Sequence, residues 1–108
     1  MGASSGLSAQ DYTEILNLYA YYNVCSYAGD AEGYASCFTH DGRLVSRGLV
    51  VSGGVMVRGS GEVRATGKEE LLAHKRRDRE SRGGKYRRHW NGSIVLQRLG
   101  DGTVRGRC

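Results

Sequence analysis

Glycine supplies 17 of the 108 residues and proline supplies none. Globular chains ordinarily carry about 7% glycine. A collagen-type helix needs both residues in a strict repeat, so that architecture is excluded. The glycines must instead serve turns, bulges and strand ends, which favours a sheet-containing fold. Gly53-Gly54 and Gly59-Ser60-Gly61 fit neither a dinucleotide fingerprint nor a Walker loop, and neither leads into a helix at the right offset.

A chain of 108 residues is one small domain with a single core. With 39% hydrophobic and 25% charged residues it is neither disordered nor membranous in composition. The net charge of +5 is local. Lys75 to Arg88 holds eight Lys/Arg against Asp78 and Glu80, while the rest of the chain is close to balanced. A solvated helix face with Asp78 and Arg82 paired at i,i+4 is the expected reading. Anion or nucleic-acid binding is the sharper alternative. Nucleic-acid readers interleave aromatics with their charges, and only Tyr86 and Trp90 lie nearby, so nucleic acid is not the expected partner. Cys25, Cys37 and Cys108 form no CxxC pair and no metal spacing. No apolar run approaches a membrane span. Met1 to Gly6 lacks the apolar core of a secretory signal, so the Asn91-Gly92-Ser93 sequon carries little weight and a cytoplasmic location is expected.

Along the chain, residues 1–8 read as a tail. Ser8 or Asp11 can cap a helix starting near residue 9, whose apolar stripe runs through Ile15, Leu18, Tyr19, Tyr22 and Cys25 or Ser26. Gly29-Asp30 breaks that helix, and Asp30 caps a short second one reaching Phe38. After Asp41-Gly42 the pattern becomes β over 43–47, 48–51 and 55–65. Thr66 begins a third helix, with Glu69 placed for a capping box. Lys85 to Leu99 reads as one long strand, Gly100-Asp101-Gly102 as a tight hairpin, and Thr103 to Cys108 as the returning strand. The order ααββαββ is an α+β arrangement, helices on one side of a curved antiparallel sheet.

This order, with the segments "ILNLYAYYNVCSYAGDAEGYASCFTHDGRL", "GSGEVRATGKEELLAHK" and "YRRHWNGSIVLQ", resembles the SnoaL-like branch of the nuclear transport factor 2-like superfamily. The resemblance covers residues 9–108. It implies a cone in which helices wrap a strongly bent sheet around a deep pocket, and glycine-rich corners suit such a sheet. It also implies proton transfer beside a carbonyl or leaving group, as in ketosteroid isomerases, scytalone dehydratases and polyketide cyclases, with no metal or organic cofactor. Other members of the superfamily bind without catalysis. Members usually continue through further strands beyond the position of Cys108, so the last strands are expected to be missing here. A truncated product, a cone completed by a dimer partner, and a degenerate copy all fit that expectation, and a homodimer is the expected assembly.

His89 matches the histidine that lyase-like members carry on the long strand after the third helix. Alternation would put His89, Asn91, Ser93 and Val95 on one face and Trp90 on the other. An imidazole titrating near neutrality can take or give a proton. By the same resemblance a carboxylate is expected near the end of the first helix, but Tyr27 stands there. Asp30, three residues on, could replace it only if the turn brings it inward; its plainer role is the helix cap. Tyr22 matches a tyrosine of dehydratase-like members. Tyr22 and Tyr27 could donate hydrogen bonds to a carbonyl oxygen and stabilise an enolate, with His89 as base. The plainer reading makes the tyrosines wall and core residues. His40-Asp41 and His74 read as surface. The leading expectation is therefore cofactor-independent isomerase, dehydratase or cyclase chemistry on a small apolar or polycyclic substrate. A non-catalytic small-molecule binding module is the alternative, and Tyr27 at the carboxylate position favours it.

Overall fold

A computed structural model describes residues 6–52, 55–84 and 91–108, and for 47–52 and 55–63 it describes the backbone course alone. The elements run α1 (Ala9–Ala28), α2 (Ala31–Ser36), β1 (Arg43–Ser52), β2 (Val55–Thr66), α3 (Gly67–Ser81), β3 (Val95–Arg98) and β4 (Val104–Arg107). This is the α+β order expected from the sequence. The described strands form two antiparallel pairs, β1 with β2 and β3 with β4.

Local chemistry explains the helix boundaries. Ser8 caps α1 through a full capping box: its hydroxyl accepts from the Asp11 amide at 3.0 Å, and the Asp11 carboxylate accepts from the Ser8 amide at 3.3 Å. The helix ends at Gly29, whose left-handed φ of 68° lets its amide turn back to the carbonyls of Cys25 and Ser26. Asp30 then caps α2, its carboxylate accepting from the Gly33 amide at 2.9 Å. The Thr66 side chain makes no capping bond to α3. The expected box with Glu69 is replaced by a bond one residue later, in which the Thr66 amide donates to Glu70.

The β1–β2 ladder pairs Arg43 with Thr66 through Arg47 with Glu62, then shifts register and resumes at Leu49 with Arg58. The irregularity falls at Gly48, opposite Gly59-Ser60-Gly61, a glycine pair for which turns or bulges are the expected use. Gly53-Gly54 lies outside the described residues. The hairpin at 99–103 is as expected. The Leu99 amide donates to the Thr103 carbonyl at 2.8 Å, and Asp101 accepts from the Thr103 amide at 3.0 Å. The Thr103 hydroxyl, which also donates to Asp101, and then the Thr103 amide hold the Asp101 carboxyl below its usual pKa.

The long strand expected over 85–99 is shorter. Residues 85–90 lie outside the described residues, 91–94 are not strand, and pairing begins only at Val95. Ser93 has φ 53°, a left-handed conformation that breaks the pleat. The alternation of Asn91, Ser93 and Val95 on one face therefore does not hold.

Cys25, Tyr34, Ala35, Ala65, Leu71 and Leu72 form the core, flanked by Tyr22, Ala31, Phe38 and Leu44. It lies where α1, α2 and α3 meet the start of β1 and end of β2. Leu96 is buried separately on β3. Of the predicted stripe on α1, Cys25 and Ser26 are buried, Ile15, Tyr19 and Tyr22 are half-buried, and Leu18 is exposed. The N-terminal end of α1 reaches the β3–β4 hairpin and the residue before it. The Tyr12 hydroxyl donates to the Ile94 carbonyl at 3.4 Å, and Arg98 lies 3.6 Å from Asp11 and donates to the Gly6 carbonyl at 3.0 Å.

Gly33 is where α1 and α2 touch. A β carbon there would meet the Asp30 carboxylate and sit 2.6 Å from the Cys25 sulfur, and neither belongs to a long flexible side chain. Gly33→Ala should therefore lose about 1–3 kcal/mol of stability. Urea unfolding of the two proteins is the check, with the midpoint falling and the slope unchanged.

Candidate functional site

The C-terminal part of α3 was expected to be a solvated charged face. Two of its cations are instead buried, Lys75 at 5% and Arg82 at 8% relative exposure. The predicted Asp78–Arg82 pair exists, at 3.7 Å, and Lys75 approaches the same carboxylate to 3.5 Å. Arg82 also donates to the backbone carbonyls of Ser26 at 3.2 Å and Tyr27 at 3.3 Å. These belong to the last turn of α1, which carries no basic residue of its own. Arg82 thus supplies the cation that meets the last carbonyls and the negative end of that helix. Lys75 donates to the Ser26 hydroxyl at 2.9 Å and stands 4.3 Å above the Tyr34 ring. Arg82→Ala would leave those carbonyls and Asp78 without this partner. It should cost roughly 3–5 kcal/mol, whereas Arg77→Ala, at an exposed position, should leave the unfolding midpoint nearly unchanged.

Fixing α3 on α1 holds Tyr34 at the centre, 1% exposed. Its hydroxyl meets that of Tyr22 at 3.3 Å. The rings of Tyr22, Tyr34 and Phe38 form an aromatic triangle with centroids 5.0, 5.4 and 6.0 Å apart. Burial, and then the bond to Tyr22, push the Tyr34 phenol far above its ordinary pKa, so it stays protonated. Beside this triangle Leu18, Tyr19, Tyr22, Cys37 and Phe38 line an apolar cleft of about 170 Å³. A dry apolar cavity of about 150 Å³ is enough to take up benzene. Burial, then the neighbouring Cys25, raise the Cys37 thiol pKa, which keeps that wall uncharged.

The residues singled out from the sequence do not all meet there. Tyr22 is on the cleft wall. Tyr27, five residues on, is turned about 140° around the helix; it is half-buried and its carbonyl is held by Arg82. Asp30 is the exposed α2 cap and lines a different, polar groove with Arg76, Arg79 and Glu80. His89 lies outside the described residues, as does Trp90. Tyr34, Cys37 and Phe38 were not among the expected site residues. The signal for two of them was present: once Asp30 is a cap, Tyr34 and Phe38 stand four apart and share one side of the turn that follows.

His40 and Asp41 are exposed, as expected. His74 is half-buried instead of exposed. Burial, then the Lys75 charge, lower its pKa below the ordinary imidazole value, with Asp78 opposing and Arg77 reinforcing. The fold therefore prefers neutral His74. Stability is retained above the unfolded value near 6.5 and declines as pH falls through it toward the lowered folded value. Melting temperatures at pH 7.5, 6 and 5 should fall less for His74→Gln than for the wild type.

Comparison with known proteins bears on the fold. The SnoaL-like domain family matches residues 8–108. The chain belongs to that family. The solved structure of Aln2 from a Streptomyces species superposes with a TM-score of 0.70 at 24% identity, over 93% of this chain and 62% of that one. The two share the fold, and this chain spans less than two-thirds of the other's length. Among curated proteins the sequence finds no match. No described helix is long and apolar enough to cross a membrane.

Proposed function

We propose that the chain binds a small apolar, carbonyl-bearing molecule in the cleft beside Tyr22 and moves a proton next to that carbonyl without a cofactor. The observation that carries this reading is the Tyr22–Tyr34 hydroxyl pair at 3.3 Å beside an apolar cleft. Tyr34 is held neutral, so it can donate into the Tyr22 oxygen and leave the Tyr22 hydrogen for a ligand. A chain of hydrogen bonds polarises its members, and in a dry site a donor aimed at a carbonyl oxygen stabilises the enolate that forms as a neighbouring proton departs. The family resemblance supplies His89 as the base that takes this proton.

Proton exchange at the carbons flanking the carbonyl of 2-tetralone, followed by NMR in deuterium oxide, tests both roles. His89→Gln should slow exchange by about 10²–10⁴-fold, and Tyr22→Phe by about 10²–10³-fold. An unchanged rate in His89→Gln removes the base assignment.

One observation favours a second reading, binding without catalysis. Among the described residues no carboxylate lines the cleft, because Asp30 is committed to capping α2. Affinity for 2-naphthol, an aromatic enol of similar shape, with no 2-tetralone exchange by the wild type would select that reading.

A further inference from the structure

Gly106 of β4 meets the cleft through Tyr19. A β carbon built on Gly106 would overlap the Tyr19 hydroxyl and lie 3.3 Å from Leu96. Tyr19 also lines the apolar cleft, together with Leu18, Tyr22, Cys37 and Phe38. One aromatic ring therefore has its hydroxyl end against the β3–β4 hairpin and its body in the cleft wall. Leu96, paired with Gly106 across the hairpin, is 4% exposed, so at this rung the hairpin is packed against the body of the protein. The cleft is open space bordering the ring, so a ring displaced by a side chain at position 106 has the cleft to move into.

We infer that residue 106 sets the size of ligand the cleft accepts, with Gly106 the setting that keeps the cleft open and Tyr19 the side chain that transmits it. This rests on the cleft being the ligand site proposed above. Gly106 is a specificity-determining residue that acts through Tyr19 and touches no reacting atom. Glycine contributes nothing to a strand's side-chain packing and weakens it, so its place in a paired strand is accounted for by the hydroxyl it accommodates. The ligand class that benefits is a flat fused-ring alcohol or ketone, whose second ring needs the space Tyr19 would otherwise take.

The test uses fluorescence titration with 2-naphthol and with phenol as the one-ring control, beside melting temperatures without ligand. Gly106→Ala should weaken 2-naphthol binding roughly tenfold or more and leave phenol binding much less changed. It should also lower the melting temperature. Tyr19→Phe removes the overlapping oxygen, so Tyr19→Phe with Gly106→Ala should regain much of both losses, a non-additive cycle. Gly100→Ala, where a β carbon meets nothing within 4 Å, should change neither reading.

Equal 2-naphthol affinity in the wild type and Gly106→Ala would overturn the inference, as would additive effects of the two substitutions on melting temperature. A wild type that binds neither probe would overturn the ligand-site reading. That outcome is distinguishable, because the melting-temperature cycle still reports whether the hydroxyl and position 106 compete for the same space. If the cycle is non-additive without probe binding, the contact stands and its role in ligand size falls.

Discussion

The described structure turns on a buried guanidinium at the end of α3. Arg82 answers two needs at once: the last carbonyls of α1 and the carboxylate of Asp78. A buried cation is tolerable only when its donors are met, and here two carbonyls and a carboxylate meet them. Lys75 adds a second anchor about two turns earlier on the same face, on Ser26 and over the Tyr34 ring. With both in place the long first helix and the third helix form a bracket around Tyr34.

The rest of the site follows from that bracket. Gly33 lets α2 close on α1, because a side chain there would collide with Asp30 and Cys25. Asp30 caps α2, so its carboxylate is spent on the Gly33 amide at the surface and not on the cleft. Tyr34, pinned from above by Lys75, points its hydroxyl at Tyr22. The outer half of α1 then runs past the core to the β3–β4 hairpin, leaving Leu18 and Tyr19 as the far wall of an apolar cleft. The same set of contacts that stabilises the fold therefore shapes the space in which a ligand could sit.

Much of the fold was legible along the chain. Ser8 with Asp11, and Asp30 with Gly33, are short-range caps whose partners lie three residues away, and such signals survive any tertiary context. The Gly100-Asp101-Gly102 hairpin is legible for the same reason. Thr66 was legible as a helix start, but its partner was not: Glu69 and Glu70 are both within reach, and only the packed geometry selects Glu70. The strand over 91–94 failed because Ser93 takes a left-handed φ, which nothing in its identity demands. The site was less legible. Tyr22, Tyr27 and Asp30 came from the family resemblance; Tyr22 lines the cleft, whereas the helix turn carries Tyr27 away from it and the cap holds Asp30 at the surface.

By itself the amino-acid sequence determined the α+β order, the helix starts, the hairpin and the need for glycine where the ladder shifts, since each depends on residues a few positions apart. It also determined that the positive charge is concentrated in residues 75–88. Only the tertiary structure decided what that charge does. Lys75 and Arg82 look identical to their exposed neighbours in a charge pattern. They are buried because the end carbonyls of a helix and a serine hydroxyl 49 residues away from Lys75 face them. Burial of a cation is set by what faces it across space, and no local spacing carries that information.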